Sequence, residues 1–166
     1  MAKHAVVRTD KMAGTDVRSY LASAIYLAEG VEGEGTETEI DNGNIVELGD
    51  LISGEREVYA AKAPTGTFDI GTMALVANPE VMYEEGKRDL ADYYNEAGKI
   101  IRVYKVHVGD IFSVTEEAFD GKVEKGAFVD TKAGSTKLAS AESGKLKVID
   151  IENVGKYKYY VIQFVG

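Results

Sequence analysis

Apolar residues in this chain recur at every second position, in short runs set off by glycine. That period constrains the fold more than any other feature. Alternation places one set of side chains on each face of an extended segment, which is the pattern of a half-buried strand. Over 17–28, Leu21, Ile25 and Leu27 share one face and Tyr20, Ala22, Ala24 and Tyr26 the other, so a strand is expected, with a helix as the weaker alternative. Further strands are expected over 44–48, 55–61, 100–108, 111–115, 127–131, 145–152 and 157–165. Residues 72–77 and 159–165 are apolar on both faces, so both segments should be buried and the last should lie inside its sheet. The 18 glycines against 2 prolines fit many tight turns. Gly43, Gly109 and Gly126 each precede an apolar pair, an echo that reads as strand entry after a turn or as repeated small β units.

One segment carries the helical period instead. Asn78, Pro79 and Glu80 fit a cap, a first helical position and the positive end of a helix dipole. Leu90, Tyr93, Tyr94 and Ala97 fall on one helical stripe, and Gly98 can end it. Gly86 interrupts the pattern, so a first turn is expected over 79–85 and an amphipathic helix over about 87–97. Residues 29–39 are glycine- and glutamate-rich and read as an acidic loop, while 132–145 read as a loop or irregular hairpin tip. The expected fold is therefore mainly β, built of small β-barrel or sandwich units with that one helix. Residues 1–20 would be an N-terminal arm or edge strand, and 21–166 a β-rich domain, divisible into units at about 21–77 and 99–166 joined by the helix.

Charge and composition narrow the function. A net charge of −9 disfavours nucleic acid and anionic membrane as partners, since both require a cationic footprint. The absence of cysteine excludes disulfides, thiolate metal sites and a cysteine nucleophile. The opening residues lack a signal-peptide apolar run, and no stretch approaches a membrane span. Of the two histidines, His107 reads as a sheet-face residue, and no paired-histidine zinc motif accompanies it. Asp41-Asn42-Gly43-Asn44 hints at calcium but lacks the spaced donors and terminal bidentate acid of an EF-hand loop. No nucleophile elbow or phosphate loop is present. No catalytic, cofactor or metal residue is assigned, and the carboxylates leave only a two-acid hydrolase open.

Several segments, taken in order, resemble a known family. They are Thr15-Asp16-Val17-Arg18-Ser19, Asp41-Asn42-Gly43, Glu55-Arg56-Glu57-Val58-Tyr59 and Asn78-Pro79-Glu80-Val81-Met82-Tyr83. Asn95-Glu96-Ala97-Gly98, Gly109-Asp110-Ile111-Phe112-Ser113-Val114-Thr115 and Tyr159-Tyr160-Val161-Ile162 complete the set. Together the chain resembles the head decoration or head fibre proteins of tailed phages and prophages, encoded near the major capsid protein. That resemblance implies a non-enzymatic virion component, made in the bacterial host cytoplasm, that binds major capsid protein. A homo-oligomer is expected, with no nucleic-acid or membrane partner. The alternatives are a β-rich carbohydrate- or ligand-binding module and a carboxylate-dependent hydrolase. The candidate partner contacts are Val6, Val7, Arg8, Val17 and Arg18, on an arm that would add a strand to a capsid subunit or a neighbouring copy. An edge strand of the chain's own sheet is the competing reading of that segment.

Overall fold

The computed structural model describes residues 4–8, 20–28, 35–55, 57–84, 86 and 89–166. Within them the alternating runs become strands. The first six are β1 (Leu21–Ala28), β2 (Thr36–Glu37), β3 (Ile45–Leu51), β4 (Val58–Lys62), β5 (Met73–Val76) and β6 (Ile101–Tyr104). The remainder are β7 (Ile111–Thr115), β8 (Phe128–Lys132), β9 (Ser135–Ala141), β10 (Leu146–Val154) and β11 (Tyr157–Phe164). The chain is mainly β, as its alternation predicts.

The first sheet runs β2-β1-β4-β3-β5-β6, and β6 pairs back onto β1. Five strands thus close into a barrel, and β2 hangs on the end of β1. Only the β1–β4 pair is parallel; the other barrel pairs are antiparallel. A barrel of so few strands has a narrow interior, which selects small inward side chains. Ala24, Ala61 and Ala74 accordingly lie fully buried with Val46, Val76 and Val103.

The second sheet is antiparallel throughout, in the order β7-β11-β10-β8-β9. β11 lies inside it, which explains why the strand is apolar on both faces. The sheet curls until the residues after β7 meet β9, where Asp120 N–H donates to the Leu138 carbonyl at 2.7 Å. At its other edge the N-terminal segment pairs with β7. Val7 lies opposite Val114, Arg8 N–H donates to the Ser113 carbonyl at 3.0 Å, and Thr115 N–H donates to the Val6 carbonyl at 2.9 Å.

Barrel and sheet share a core. Ile45 and Leu75 point out of the barrel wall while their neighbours Val46, Ala74 and Val76 point in. β5 is therefore buried on both faces. The outward set packs with Phe112, Val114, Leu146, Ile162 and Phe164 of the second sheet, and the Phe68 and Phe164 rings lie 5.4 Å apart. Gly43, with φ of 89°, brings the turn before β3 against this seam, where an added Cβ would lie 3.1 Å from Val114.

Two expectations are corrected and one is narrowed. The helix over 87–97 is absent: among the described residues of that stretch only a three-residue 3-10 turn forms, Leu90–Asp92. Ala91, Tyr93 and Asn95 are buried while Asp92 and Tyr94 are half-buried, so burial alternates and the segment is largely extended. Asp, Tyr and Asn are mediocre helix formers, and the long-range bonds made by Asn95 outweigh the local preference. Of the two readings of 132–145, the structure has the irregular hairpin: β8 and β9 pair with a register shift between Thr131 and Lys132, and Leu138 and Ala139 of β9 reach the core although their neighbours are small and polar. Finally, β6 belongs to the barrel, so the division between the two sheets falls after Tyr104 and not at residue 99.

Candidate functional site

The described residues of the β5–β6 connection, 78–84, 86 and 89–100, belong to a strap between these two barrel strands. Buried amides hold it. Asn42 Oδ1 accepts from Asn78 N–H and from Asn95 Nδ2, each at 3.0 Å, and Asn42 Nδ2 donates to the Asn78 carbonyl at 2.9 Å. Asn78 Nδ2 donates to the Tyr93 hydroxyl at 3.1 Å, and that hydroxyl donates to Asn95 Oδ1 at 3.0 Å. Asn95 and Ile40 exchange backbone hydrogen bonds, and Asn95 Nδ2 adds a second donor to the Ile40 carbonyl at 2.9 Å. Asn42 and Asn95 are 1% and 3% exposed, so these bonds form where an unpaired amide would be costly. Asn78 spends its side chain here, its Oδ1 taking the Arg102 N–H at 3.1 Å, and caps no helix.

A second tie lies further along. Asp89 caps the 3-10 turn by accepting from Ala91 N–H, and it also meets the Tyr157 hydroxyl and the Lys156 ammonium of the β10–β11 hairpin. The strap is thereby fastened to the barrel at one point and to the second sheet at another. Near the first point, His4 Nδ1 lies 3.2 Å from Asp41 Oδ1, and its ring packs 5.1 Å from Tyr94.

The strap encloses a cleft of about 380 Å³, within the usual ~300–1,000 Å³ of ligand clefts. Val81, Tyr83 and Ile100 present apolar surface, and Tyr83 is 94% exposed. Tyr93 and Tyr94 lie deeper, and the charged lining is Glu84, Asp92, Glu96 and Lys99. Burial raises the Tyr93 phenol above its ordinary value; the Asn78 hydrogen bond opposes this, and the nearby Glu80 and Glu96 carboxylates add to it. The displaced carboxyls lie elsewhere. Glu47 is lowered because bonds from Thr65 and the Lys62 ammonium outweigh its burial, and Asp150 is lowered chiefly by Lys125.

Of the sequence-expected contacts, the described ones, Val6, Val7 and Arg8, do not line this cleft. Val6 and Val7 are each 1% exposed, and residues 6–8 pair with β7 through an isolated bridge at Val7, so neither valine side chain is available to a partner. Arg8 is turned inward, its guanidinium 5.3 Å from the Tyr159 ring centre and 3.4 Å from Glu152. Val17 and Arg18 lie outside the described residues. His107 stacks on Tyr20 at 3.8 Å just beyond β6. Within Asp41-Asn42-Gly43-Asn44, Asp41 is committed to His4 and Ala5 N–H and Asn42 to the strap, while the buried Asn44 Oδ1 has no hydrogen-bond partner among the described residues. Among the described residues no group of three or more His, Asp or Glu is placed to hold a metal ion. None of their helices is long and apolar enough to cross a membrane. The sequence reading missed the strap, although three of its anchors, Asn42, Asn78 and Asn95, lie within segments that carry the phage resemblance.

No protein family, curated protein or solved structure matches this chain.

Proposed function

We propose that this protein is a non-enzymatic structural component of a tailed-phage or prophage head, which decorates the capsid by binding major capsid protein through the strap. One observation carries this reading: Tyr83, Val81 and Ile100 stand exposed on a segment whose Asn78 and Asn95 are hydrogen-bonded to the buried Asn42. An exposed aromatic on a rigid support is a typical anchor of a protein interface, because little conformational freedom is lost on docking. The segment Asn78–Tyr83 is also part of the phage resemblance. A net charge of −9 would keep such a protein off packaged DNA.

Capsids lacking the protein, incubated with it and pelleted, provide the test. The wild type should co-sediment, and Tyr83→Ala should remain in the supernatant while keeping its circular dichroism. A wild-type protein that stays in the supernatant at saturating capsid overturns the reading. The tyrosine-lined cleft also suits a carbohydrate-binding module. Selective retention on a glycan array, lost in Tyr83→Ala, would favour that second reading.

A further inference from the structure

We infer that Asn42-Gly43 is a site of spontaneous covalent modification, closed while the strap is anchored and reactive once it is released. Asn42 is the only asparagine followed by glycine in the chain. In such a pair the glycine nitrogen carries no neighbouring Cβ to hinder its approach to the asparagine side-chain carbon. The other asparagines precede Ile45, Pro79, Glu96 and Val154, where a side chain crowds the nitrogen or, in proline, the N–H is missing. The chemistry needs only water. A base removes the Gly43 N–H proton, the nitrogen attacks Asn42 Cγ, and the bond from Cγ to Nδ2 breaks. Ammonia leaves with a proton, and a succinimide ring remains. Water then opens either ring carbonyl, giving aspartate or an isoaspartate whose main chain runs through Cβ and Cγ.

The fold blocks each step. Both residues are buried, which keeps water and hydroxide out. Gly43 N–H donates to the Val76 carbonyl at 2.8 Å, so its proton is held. Asn42 Oδ1 and Nδ2 are held by Asn78 and Asn95, so the side chain cannot swing onto the Gly43 nitrogen. The same structure calls for the reactive pair. Position 42 must accept from the Asn78 N–H and donate to the Asn78 carbonyl, which a primary amide does and a carboxylate does not. Position 43 must adopt a φ of 89° with an added Cβ only 3.1 Å from Val114. Either product then prevents reclosure. Aspartate turns an oxygen toward the Asn78 carbonyl at a site 1% exposed. Isoaspartate lengthens the main chain by one carbon and moves Gly43 out of step with Val76 and Val114. Release of the strap thus becomes irreversible with time.

The test incubates the full chain in mildly alkaline buffer over a series of urea concentrations. Aliquots are quenched in acid, digested, and analysed by chromatography with tandem mass spectrometry, which separates aspartate from isoaspartate and Asn42 from Asn44. In urea above the unfolding midpoint, Asn42 should convert well ahead of the other asparagines. Without urea it should react about a hundredfold more slowly, since several hydrogen bonds must open first. As urea is lowered the rate should level off, the mark of a local opening rather than of unfolding. Tyr93→Phe removes the hydroxyl that joins Asn78 to Asn95 and touches neither Asn42 nor Gly43. It should speed the native reaction about tenfold. For the same loss of stability Val129→Ala, in the core beside β8, should speed it far less, because the strap anchors remain. Equal rates with and without urea, or modification spread evenly over the asparagines in urea, overturns the inference. So does a native rate that keeps falling in proportion to the unfolded fraction, a measurement on the wild type that stands even where a variant fails to fold. Modified protein that refolds to the wild-type urea midpoint overturns it as well.

Discussion

Asn42→Ala should be among the most damaging polar substitutions in this protein. Asn42 is 1% exposed and makes three hydrogen bonds, at 2.9, 3.0 and 3.0 Å, to the two strap residues Asn78 and Asn95. At about 1 kcal/mol net for each bond, the loss begins near 3 kcal/mol. The Asn78 backbone is half-buried, so water can reach its N–H and carbonyl once the strap relaxes. Asn95 Nδ2 is sealed and keeps only the Ile40 carbonyl, which adds roughly 1 kcal/mol for the abandoned donor. The sum is about 4 kcal/mol, equivalent to a fall of about 10 °C in Tm for a chain of this length. Urea unfolding followed by tyrosine fluorescence and circular dichroism measures it, since the chain has 10 Tyr and no Trp. Asn42→Asp sharpens the result. It keeps the acceptor but turns a carboxylate oxygen toward the Asn78 carbonyl, so it should be nearly as damaging at neutral pH. The introduced carboxyl is neutral more readily in the folded state, so its folded pKa is raised. The native state is then favoured below the unfolded value near 3.9, where the protonated oxygen can donate, and that advantage is lost as pH rises. A loss below about 1 kcal/mol in Asn42→Ala, or no acid recovery in Asn42→Asp relative to wild type, would refute the account of the strap as held by this network.

Val7→Ala should cost about 2 kcal/mol in urea unfolding, because Val7 is 1% exposed and packs in the shared core; an unchanged midpoint would restore the free-arm reading of this segment. Gly43→Ala should cost about 2 kcal/mol, from its φ of 89° together with the 3.1 Å approach to Val114. Gly54→Ala has a similar φ of 87° but open space around it, so about 1 kcal/mol is expected and the difference measures crowding at the seam. Thr65→Val should raise the Glu47 pKa toward its ordinary value in an NMR titration, since the hydroxyl at 2.7 Å is lost. The depressed folded pKa gives Glu47 a stabilising contribution above its unfolded pKa that disappears as pH falls through the folded value, and Thr65→Val should shrink it.

The strands were legible because burial and sequence period coincide in most of them. β5 reads as buried on both faces, and it is, with barrel interior on one side and second sheet on the other. The echo at Gly43, Gly109 and Gly126 is physically grounded too, since all three glycines have positive φ, and each lies shortly before β3, β7 or β8. Hydrophobicity does not reveal which face of β1 is inside. The barrel interior takes Ala24, flanked by Ala22 and Tyr26, whereas Leu21 and Ile25 lie on the other face, because the narrow barrel selects by volume. Closure itself depends on the β1–β6 pair, a long-range contact that no local period announces.

The strap shows why a correct period can still mislead. Leu90, Tyr93, Tyr94 and Ala97 do fall on one helical stripe, but Leu90 is 38% exposed and Ala97 is exposed as well. The residues that decide the conformation are polar. Asn95 is worth more to the fold as a partner of Ile40 and Asn42, residues more than fifty positions away, than Tyr93 and Ala97 are as one face of a helix. A hydrophobic pattern is blind to such bonds, since it scores asparagine as surface whatever its partners. The cleft inherits this blindness. Three amides, Asn42, Asn78 and Asn95, anchor the backbone beside the cleft, and Tyr83 stands exposed at its rim. If the strap docks on a capsid as proposed, stability and recognition are coupled: substitutions that release Asn42 should weaken docking even though Asn42 does not line the cleft beside Tyr83.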